Sequence, residues 1–323
     1  MTVSGGAGAT RACPAPARVA VLGATGSVGR QVCLAFAERG WEVLGVARRW
    51  APHVADYRFV AMDLAATDPR RIADLFGDGP VDVVVNAAGG WGDTEEEMTY
   101  SHVRLVDRLL EAVAMLPQRS RLVHIGSVHE YGPVPQGTLL NEDVTPHPVT
   151  TYARTKLAVS QAVLQATRAQ GVNAVVLRAA NMSGPYPPRE SFLAALVGRL
   201  HAARAANQIL ELNIAEARRD FIDVRDVAAA IVRAGEAQVD GRVVNIGRGE
   251  AVSIGDLVEW LIEAAEFPRR MIAYRREQVE SKGGDWTQLD ICLARRLLSW
   301  EPQISLRDSV RAMWQVSDHT ESV

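Results

Sequence analysis

Tyr152 and Lys156 stand four residues apart in "PVTTYARTKLAVS" (148–160), a segment whose composition predicts a helix. Two side chains at this spacing lie on one helix face. Many such pairs on protein surfaces have no function. The alternative is chemical, because an ammonium group beside a phenol favours the phenolate and lowers the pKa of the phenol, so that it exchanges protons efficiently. Taken alone, the spacing favours a surface pair. The choice between a surface pair and a catalytic pair depends on the motifs in the rest of the chain.

A glycine-rich segment near the start of the chain has the spacing of a nucleotide-binding loop. Gly23, Gly26 and Gly29 form the pattern GxxGxxG in "GATGSVGR", directly after the apolar run "RVAVLGA" and at the start of a predicted helix. Glycines allow a tight turn and a close approach of the backbone, so a pyrophosphate can sit on the helix N-terminus. A tight turn without a ligand is the alternative, but the strand–loop–helix context favours a dinucleotide.

Charged residues follow the next two predicted strands. Arg48 and Arg49 end "WEVLGVARR", where an acid would bind the ribose hydroxyls of NAD. Two guanidinium groups at this point suit a 2′-phosphate and predict NADP, unless both are solvated surface arginines. Asp63 in "AMDL" ends the third strand, where it can accept a hydrogen bond from the adenine amino group. A helix N-cap is the alternative role for Asp63.

The elements that must position these residues alternate between strand and helix. Short apolar runs, typical of buried parallel strands, are separated by helical stretches near 69–76, 95–116 and 149–170. This alternation predicts an α/β fold with a doubly wound parallel sheet, the Rossmann arrangement. The predicted strands cover residues 18–24, 41–49, 81–90, 121–127 and 173–180, with a further helix at 223–236 and strand at 241–247.

After residue 180 the pattern changes to a loop, short strands and helices near 253–265 and 304–316. We therefore expect a smaller C-terminal substrate domain. The predicted division has a disordered leader (1–17), an NADP-binding domain (18–180 with 222–248), a substrate domain (181–221 with 249–316) and a tail (317–323).

Composition excludes several classes of function. The chain has 323 residues, 48% hydrophobic and 23% charged, with a net charge of −3, the usual mixture for a soluble globular protein without a basic surface for nucleic acid. It lacks an apolar run long enough to span a bilayer and a secretory signal. Cys13, Cys33 and Cys292 are isolated, without the spacing of metal ligands, so we expect no metal and a cytoplasmic location.

Taken together, the motifs resemble an extended short-chain dehydrogenase/reductase of the nucleotide-sugar epimerase, dehydratase and ketoreductase group. The resemblance runs from about residue 18 to residue 316, and several motifs in the right order are more specific than any one of them. Besides the glycine loop, the resemblance depends on seven further segments of the sequence. These are "NAAGG" (86–90), "GSVHEYG" (126–132), "YARTK" (152–156), "LRAANMSGPY" (177–186), "RRDFIDVRDVA" (219–228 preceded by Arg218), "VVNIGRGEAVSI" (243–254) and "LLSWEPQISL" (297–306).

The resemblance implies a catalytic role for Ser127, Tyr152 and Lys156. Tyr152 would exchange the proton, Ser127 would polarise the substrate oxygen, and Lys156 would tune the phenol and hold the nicotinamide ribose. Arg219 would contact the nucleotide diphosphate, and Asn181 would contact the diphosphate or the nearby backbone. Trp91 and His129 would line the sugar pocket, and a homodimer would form through the helices near 95–116 and 149–170. The alternatives are a structural ion pair of Arg219 with Asp220 or Asp223, and a loop tryptophan packed against a neighbour. The implied cofactor contacts are Gly23, Thr25, Gly26, Ser27, Val28, Gly29, Arg48, Arg49, Asp63, Leu64, Ala87, Ala88, Gly89, Tyr152 and Lys156.

Three departures from the family pattern narrow the reaction. Val128 and His129 replace the Asp–Glu pair of the sugar dehydratases, and valine cannot do acid chemistry, so 4,6-dehydration is excluded. His129 remains either an acid or base, or a polar side chain of the cleft. Arg48 and Arg49 suit NADPH and a net reduction. His102 replaces the asparagine that commonly supports the proton relay of the family, which leaves that relay open.

These features predict NADPH-dependent reduction of the C4 keto group of a nucleotide-linked 4-keto-6-deoxysugar, a dTDP sugar by resemblance. Such reductases commonly make deoxysugars for glycosylated natural products such as antibiotics. One alternative is a redox-neutral 4-epimerase with tightly held NAD, which uses the same Ser, Tyr and Lys. A non-catalytic NADP-sensing regulator is a further alternative, although such proteins usually lack the tyrosine or the lysine.

Overall fold

The computed structural model describes residues 16–77, 81–90, 92–116, 120–275 and 284–320, with side chains up to residue 317. Most of the predicted leader and Trp91 lie outside the described residues. Within the described part of the chain, no helix is long and apolar enough to cross a membrane.

Seven parallel strands form the central sheet, in the order β10-β6-β5-β4-β1-β2-β3. Most of them are buried runs rich in valine, because helices cover both faces of the sheet and leave no polar side. This arrangement confirms the predicted doubly wound fold. The strands are β1 (Arg18–Leu22), β2 (Glu42–Ala47), β3 (Arg58–Ala61), β4 (Val83–Asn86), β5 (Arg121–Ser127), β6 (Ala174–Ala179) and β10 (Arg242–Ile246).

Helices form a layer on each face of the sheet. Phe36 of α1 (Ser27–Ala37) and Ile231 of α7 (Val224–Glu236) belong to one core, on one face of the sheet. The other core holds apolar side chains from three helices. These helices are α2 (Pro69–Gly77), α4 (Leu105–Ala114) and α5 (Thr151–Gln170).

The helix predicted over 95–116 is interrupted. A capped turn, α3 (Glu95–Met98), leads into a π-helix at Thr99–Arg104, and α4 follows. Wide π turns are rare and are frequently found at functional sites. Here the π turn contains His102, whose side chain is 3% exposed.

The C-terminal part forms a third core, which the sequence predicts only as a smaller domain. Helices α6 (Phe192–Ala206), α8 (Ile254–Ala264) and α10 (Leu306–Thr320) supply most of its side chains. α10 runs into the predicted tail. α9 (Cys292–Leu298), which the sequence analysis missed, packs instead against the first core. Two small sheets complete the fold: β7 (Asn181–Ser183), β9 (Arg218–Asp223) and β11 (Ala251–Ser253) form one, and β8 (Leu210–Leu212) pairs with β12 (Ile272–Tyr274).

Six of the seven parallel strands, β1 to β6, end beside predicted site residues. β1 and β4 are neighbours, yet the chain continues from them in opposite directions along the sheet, so a crevice opens at their carboxyl ends. The loops after β1 to β5 therefore bring the predicted cofactor residues and Ser127 to one edge of the sheet.

Candidate active site

Ser127 and Tyr152 meet at the carboxyl end of β5. Ser127 is the last residue of that strand, and its Oγ accepts a hydrogen bond of 3.2 Å from the His129 amide. Its hydroxyl is also hydrogen-bonded to the Tyr152 hydroxyl. α5, which carries Tyr152 and Lys156, is capped by the Thr150 side chain and packs against β5 and β6. The structure therefore brings the three predicted catalytic side chains together.

The pKa of the Tyr152 phenol is determined first by burial, because the protein replaces the water around the hydroxyl. Burial raises the pKa of Tyr152 to about 12, the Ser127 hydrogen bond opposes the rise, and the negative charge of Glu130 adds to it. The phenol consequently carries its proton at neutral pH. The lowering expected from Lys156 and an oxidised nicotinamide concerns the enzyme with its cofactor bound and stays a prediction.

Lys156 is a buried amine, 5% exposed. Its Nζ donates a hydrogen bond of 2.5 Å to the carbonyl oxygen of Ile125, near the end of β5. Burial lowers the pKa of Lys156 to about 8, and the charge of Glu130 opposes that change. At neutral pH the group remains mainly cationic, as the predicted role beside a ribose and a phenol requires.

His102 is held beside Tyr152 in a fixed tautomer. The two rings contact edge to face at 5.7 Å between centroids. Nε2 of His102 lies 2.9 Å from the Gly90 carbonyl oxygen, which only accepts, so Nε2 carries the proton. Nδ1 lies 2.8 Å from the Thr155 hydroxyl and accepts from it. Burial first, and then Lys156, lowers the pKa of His102 to about 4. A neutral imidazole with both nitrogens engaged supports the position of α5.

The predicted substrate residues on the other side of Tyr152 form a polar wall. The ring of His129 lies 6.0 Å from that of Tyr152, and its side chain is hydrogen-bonded to Asn181 in β7. Burial, followed by the charge of Arg219, lowers the pKa of His129 to about 4. His129 is therefore neutral at pH 7 and cannot serve as a loaded acid there. Asn181 also donates to the Asp220 carbonyl oxygen at 3.1 Å.

Arg219 and Arg218 lie on opposite sides of β9. Arg219 is half-buried and faces His129, whereas Arg218 is exposed. Nη2 of Arg219 donates to the Gly284 carbonyl oxygen at 2.7 Å, and the charge of Asp285 acts on its guanidinium. Asp220 and Asp223, the acids near it in sequence, make other contacts. Asp220 accepts from the amides of Arg248 and Gly249 at 2.8 and 2.9 Å, and Asp223 pairs with Arg225 at 2.8 Å.

The glycine loop has the shape that a dinucleotide needs. Gly23 has φ +80°, and a Cβ there would lie 2.8 Å from the Ala87 carbonyl oxygen. Gly26, the N-cap of α1, has no side chain to cap the helix, and the first turn contains no acid. The first amides of α1 therefore face the crevice and suit an anion. Thr25, Ser27 and Val28 are half-buried in this loop, and Gly29 packs directly against Gly23.

The residues after β2 and β3 surround the far end of the crevice. Arg48 and Arg49 are both exposed. Asp63 is partly committed within the protein, because its carboxylate accepts from the Ala65 amide and the Tyr100 hydroxyl, each at 3.1 Å. The contact with the Ala65 amide belongs to a turn, and the next helix, α2, begins only at Pro69, so Asp63 is not the helix N-cap that the sequence left open. Leu64 is buried in the second core, so only its backbone can face a ligand.

The segment after β4 forms the floor of the crevice. Ala87 and Ala88 are half-buried, and the Ala88 amide donates to Asn86 at 3.2 Å. Gly89 has φ +95°, and a Cβ there would lie 2.6 Å from the His102 ring. The segment thus connects the cofactor loop to the surroundings of Tyr152.

Two features of the site were missed by the sequence analysis. Glu130 is a fully buried carboxylate behind Ser127, paired with Arg178 at 2.9 Å. Arg30, one residue past the glycine motif, stacks its guanidinium over the ring of Tyr186 at 3.3 Å. Glu130 lies in the quoted "EYG" segment, but nothing in the sequence indicates its distant partner.

Replacing Gly23 by alanine tests the loop. We expect Gly23→Ala to destabilise the fold by about 1–2 kcal/mol, because a Cβ at positive φ is strained and would collide with the Ala87 carbonyl. We also expect NADPH to bind about tenfold more weakly, since the turn after β1 must shift. Gly40→Ala is the matched control, because Gly40 has φ +78° with open space around it. Equal NADPH affinity in the two variants, measured by fluorescence titration, would contradict the assignment of this loop.

The described residues contain no cluster of three or more His, Cys, Asp or Glu that could hold a metal ion. Cys33 is buried and Cys292 is exposed, and neither forms a disulfide.

Comparison with known proteins defines the class. Residues 19–247 match the model of the NAD dependent epimerase/dehydratase family. The chain belongs to this family, in its extended short-chain dehydrogenase/reductase group. This finding confirms the resemblance that the motifs predict.

The chain is similar to several enzymes that act on nucleotide sugars. It is 41% identical, over 93% of its length and 95% of the relative, to a dTDP-6-deoxy-L-talose 4-dehydrogenase (NAD(P)(+)) from Kitasatospora kifunensis. It is 29% identical, over 92% and 95%, to a GDP-6-deoxy-D-mannose reductase from Pseudomonas aeruginosa. Among solved structures, RMD from Pseudomonas aeruginosa complexed with NADPH has a TM-score of 0.79, with 25% identity over 95% of this chain and all of that chain.

Proposed function

We propose that the protein is an NADPH-dependent reductase of the C4 keto group of a dTDP-linked 4-keto-6-deoxysugar. The observation that carries the proposal is that the hydroxyls of Ser127 and Tyr152 meet at the carboxyl end of β5, with Lys156 one turn further along α5. Reduction of a ketone needs a proton donor beside the carbonyl oxygen, and the Tyr152 hydroxyl would be that donor.

The similarity to other enzymes supports the same choice. The relative from Kitasatospora kifunensis is named for C4 chemistry on a dTDP-6-deoxysugar, and the similarity extends over nearly the whole of both chains. The relative from Pseudomonas aeruginosa is named as a reductase of a GDP-linked 6-deoxysugar. Both names describe redox chemistry on a 6-deoxysugar nucleotide, which favours the reductase over an epimerase.

In the proposed reduction, each residue of the site performs one step. NADPH, when bound on the glycine loop, supplies the hydride that converts the C4 carbonyl to an alcohol. Ser127 donates a hydrogen bond to the C4 oxygen as negative charge develops there. Tyr152 gives that oxygen its proton, and the positive charge of Lys156 stabilises the phenolate that remains. Arg219 and Asn181 orient the nucleotide diphosphate so that C4 faces Tyr152.

Arg48 and Arg49 are proposed to select NADPH over NADH. Replacing both by alanine should raise the KM for NADPH about tenfold and leave the KM for NADH nearly unchanged, because only NADPH carries the 2′-phosphate. Arg242→Ala is a matched control, since this exposed arginine begins β10 at the opposite edge of the sheet. An equal change in both KM values would show that the arginines do not read the phosphate.

The test of the proposal is NADPH consumption with dTDP-4-keto-6-deoxyglucose, with NADH in a parallel reaction. Rapid oxidation of NADPH, with formation of the C4 alcohol, is the expected result. If neither cofactor is consumed, while purified protein carries NAD and interconverts sugar nucleotides, the reaction is the redox-neutral 4-epimerisation. The structural basis of that epimerisation would be the shared fold. The structure of a UDP-glucuronic acid 4-epimerase from Bacillus cereus has a TM-score of 0.81 with this chain, at 22% identity, over 94% of this chain and 99% of that chain.

The proposal includes the wider organisation of the protein. We place the NADP-binding domain and the substrate domain as the sequence divides them, with the site between them. The enzyme would act as a homodimer through α4 and α5, in the cytoplasm, in the synthesis of deoxysugars for glycosylated natural products.

A further inference from the structure

Glu130 is a buried carboxylate that the proposed reaction does not use. It lies three residues after Ser127 and its side chain is 0% exposed. Both of its oxygens are engaged. Oε1 accepts from the Ser127 amide at 2.7 Å and from the Ser160 hydroxyl at 3.0 Å, and Oε2 accepts from Nε of Arg178 at 3.0 Å. Burying a carboxylate costs free energy unless the group is paired and hydrogen-bonded. The four contacts of Glu130, which include the ion pair with Arg178, therefore need a structural or functional reason.

The contacts of Glu130 join the elements that carry the predicted catalytic residues. Ser127 ends β5, Ser160 lies one turn beyond Lys156 on α5, and Arg178 belongs to β6. Gly126 leaves the space that the carboxylate needs, since a Cβ there would lie 2.7 Å from Oε1. The distance between the end of β5 and the Lys156 face of α5 is therefore fixed through one side chain.

The charge of Glu130 also acts on the catalytic groups. Burial lowers the pKa of Lys156 to about 8, and Glu130 opposes that lowering. The imidazoles of His102 and His124 also face Lys156, and burial keeps both neutral by lowering their pKa. On the far side of the carboxylate, the Arg178 guanidinium stacks over the Tyr131 ring at 4.3 Å. Glu130 is thus the anion that acts on Lys156.

We infer that Glu130 is a positioning residue, which holds Ser127 at the hydroxyl of Tyr152 and holds the Lys156 face of α5 against the end of β5, with its negative charge acting on the amine of Lys156. The catalytic part of this inference rests on the proposed reduction. The effects on the position of Ser127 and on the charge of Lys156 do not depend on any substrate.

Lys156 can be observed directly, because Lys156 and Lys282 are the only lysines of the chain. Protein labelled with 13C at the lysine Cε, in a Lys282→Arg background, gives a single side-chain signal whose pH titration reports Lys156. In Glu130→Gln we expect the midpoint to fall by about one pH unit, as for the loss of a neighbouring opposite charge. A lysine with a lower pKa loses its proton at a lower pH. The alkaline decline of kcat should therefore move to lower pH by the same amount as the Lys156 midpoint.

Arg178→Met is the matched variant. It breaks the same buried ion pair and should lower the Tm by an amount comparable to that in Glu130→Gln. It keeps the carboxylate, however, so the midpoint of Lys156 should not fall. If the Glu130–Arg178 pair had only a structural role, Glu130→Gln and Arg178→Met would change the Lys156 midpoint by the same amount. Ser160→Ala, which removes one hydrogen bond and no charge, should leave the midpoint unchanged.

If either single variant does not fold, Glu130→Gln combined with Arg178→Met removes both charges and is expected to fold. The Lys156 midpoint should still fall in this double variant. The inference is overturned if the Lys156 midpoint is unchanged in the Glu130→Gln variant that folds, whether this is the single or the double variant. Wild-type protein that does not oxidise NADPH with the keto sugar would instead refute the proposed function, without affecting the titration result.

Discussion

Tyr152→Phe is expected to lower kcat/KM for the keto sugar by about 10³-fold, the usual size of a lost general acid. The phenyl ring keeps its edge contacts with His102 and His129, so the pocket should retain its shape. Only the hydroxyl that is hydrogen-bonded to Ser127 disappears. The affinity for NADPH, measured by fluorescence titration without substrate, should change by less than about twofold, because the hydroxyl serves the chemical step rather than cofactor binding.

Tyr274→Phe is the control for this variant. The Tyr274 hydroxyl bonds to Glu259 on the surface of the C-terminal part, and its loss should leave kcat/KM unchanged. Retention of more than a tenth of the wild-type rate by Tyr152→Phe would exclude Tyr152 as the proton donor. A large loss of NADPH affinity would instead indicate that the phenol holds the cofactor.

The large elements follow from the sequence because their signals are local. Apolar runs such as residues 18–24 can be stable only when helices cover both sides, which predicts the parallel sheet directly. The glycine spacing predicts the turn after β1. The sequence predicts short strands after residue 180 but not their positions, since the three-residue strands β7, β8, β11 and β12 are too short to give a periodic pattern.

Other features depend on contacts that the sequence does not indicate. The π turn at 99–104 accommodates His102 against Thr155 and Gly90, so it is decided by tertiary packing. The buried pair of Glu130 and Arg178 joins residues 48 positions apart. The burial that raises the pKa of Tyr152 is a further example, because the spacing reveals the neighbouring lysine but not the loss of solvent around the hydroxyl.

Arg219→Met is expected to raise the KM for the nucleotide sugar by about 100-fold with a much smaller change in kcat. A guanidinium that bonds a diphosphate contributes about 1.5–3 kcal/mol for a charge-assisted hydrogen bond, and about 2.7 kcal/mol corresponds to the 100-fold loss. The diphosphate is bound equally in the ground state and the transition state, so its loss should appear in KM. The KM for NADPH should not change.

The neighbouring arginine supplies the matched control, and the chain offers it at the next residue. Arg218 is exposed on the opposite side of β9, where its Nη2 donates to the Ala251 carbonyl at 3.1 Å. Because successive side chains of a strand point to opposite faces, Arg218→Met should leave both KM values unchanged. Arg219→Lys keeps the charge but loses the two-pronged geometry, so its KM should lie between those of wild type and Arg219→Met. If Arg218→Met raised KM instead, the diphosphate would lie on the other side of β9, and His129 and Asn181 could not line the same pocket.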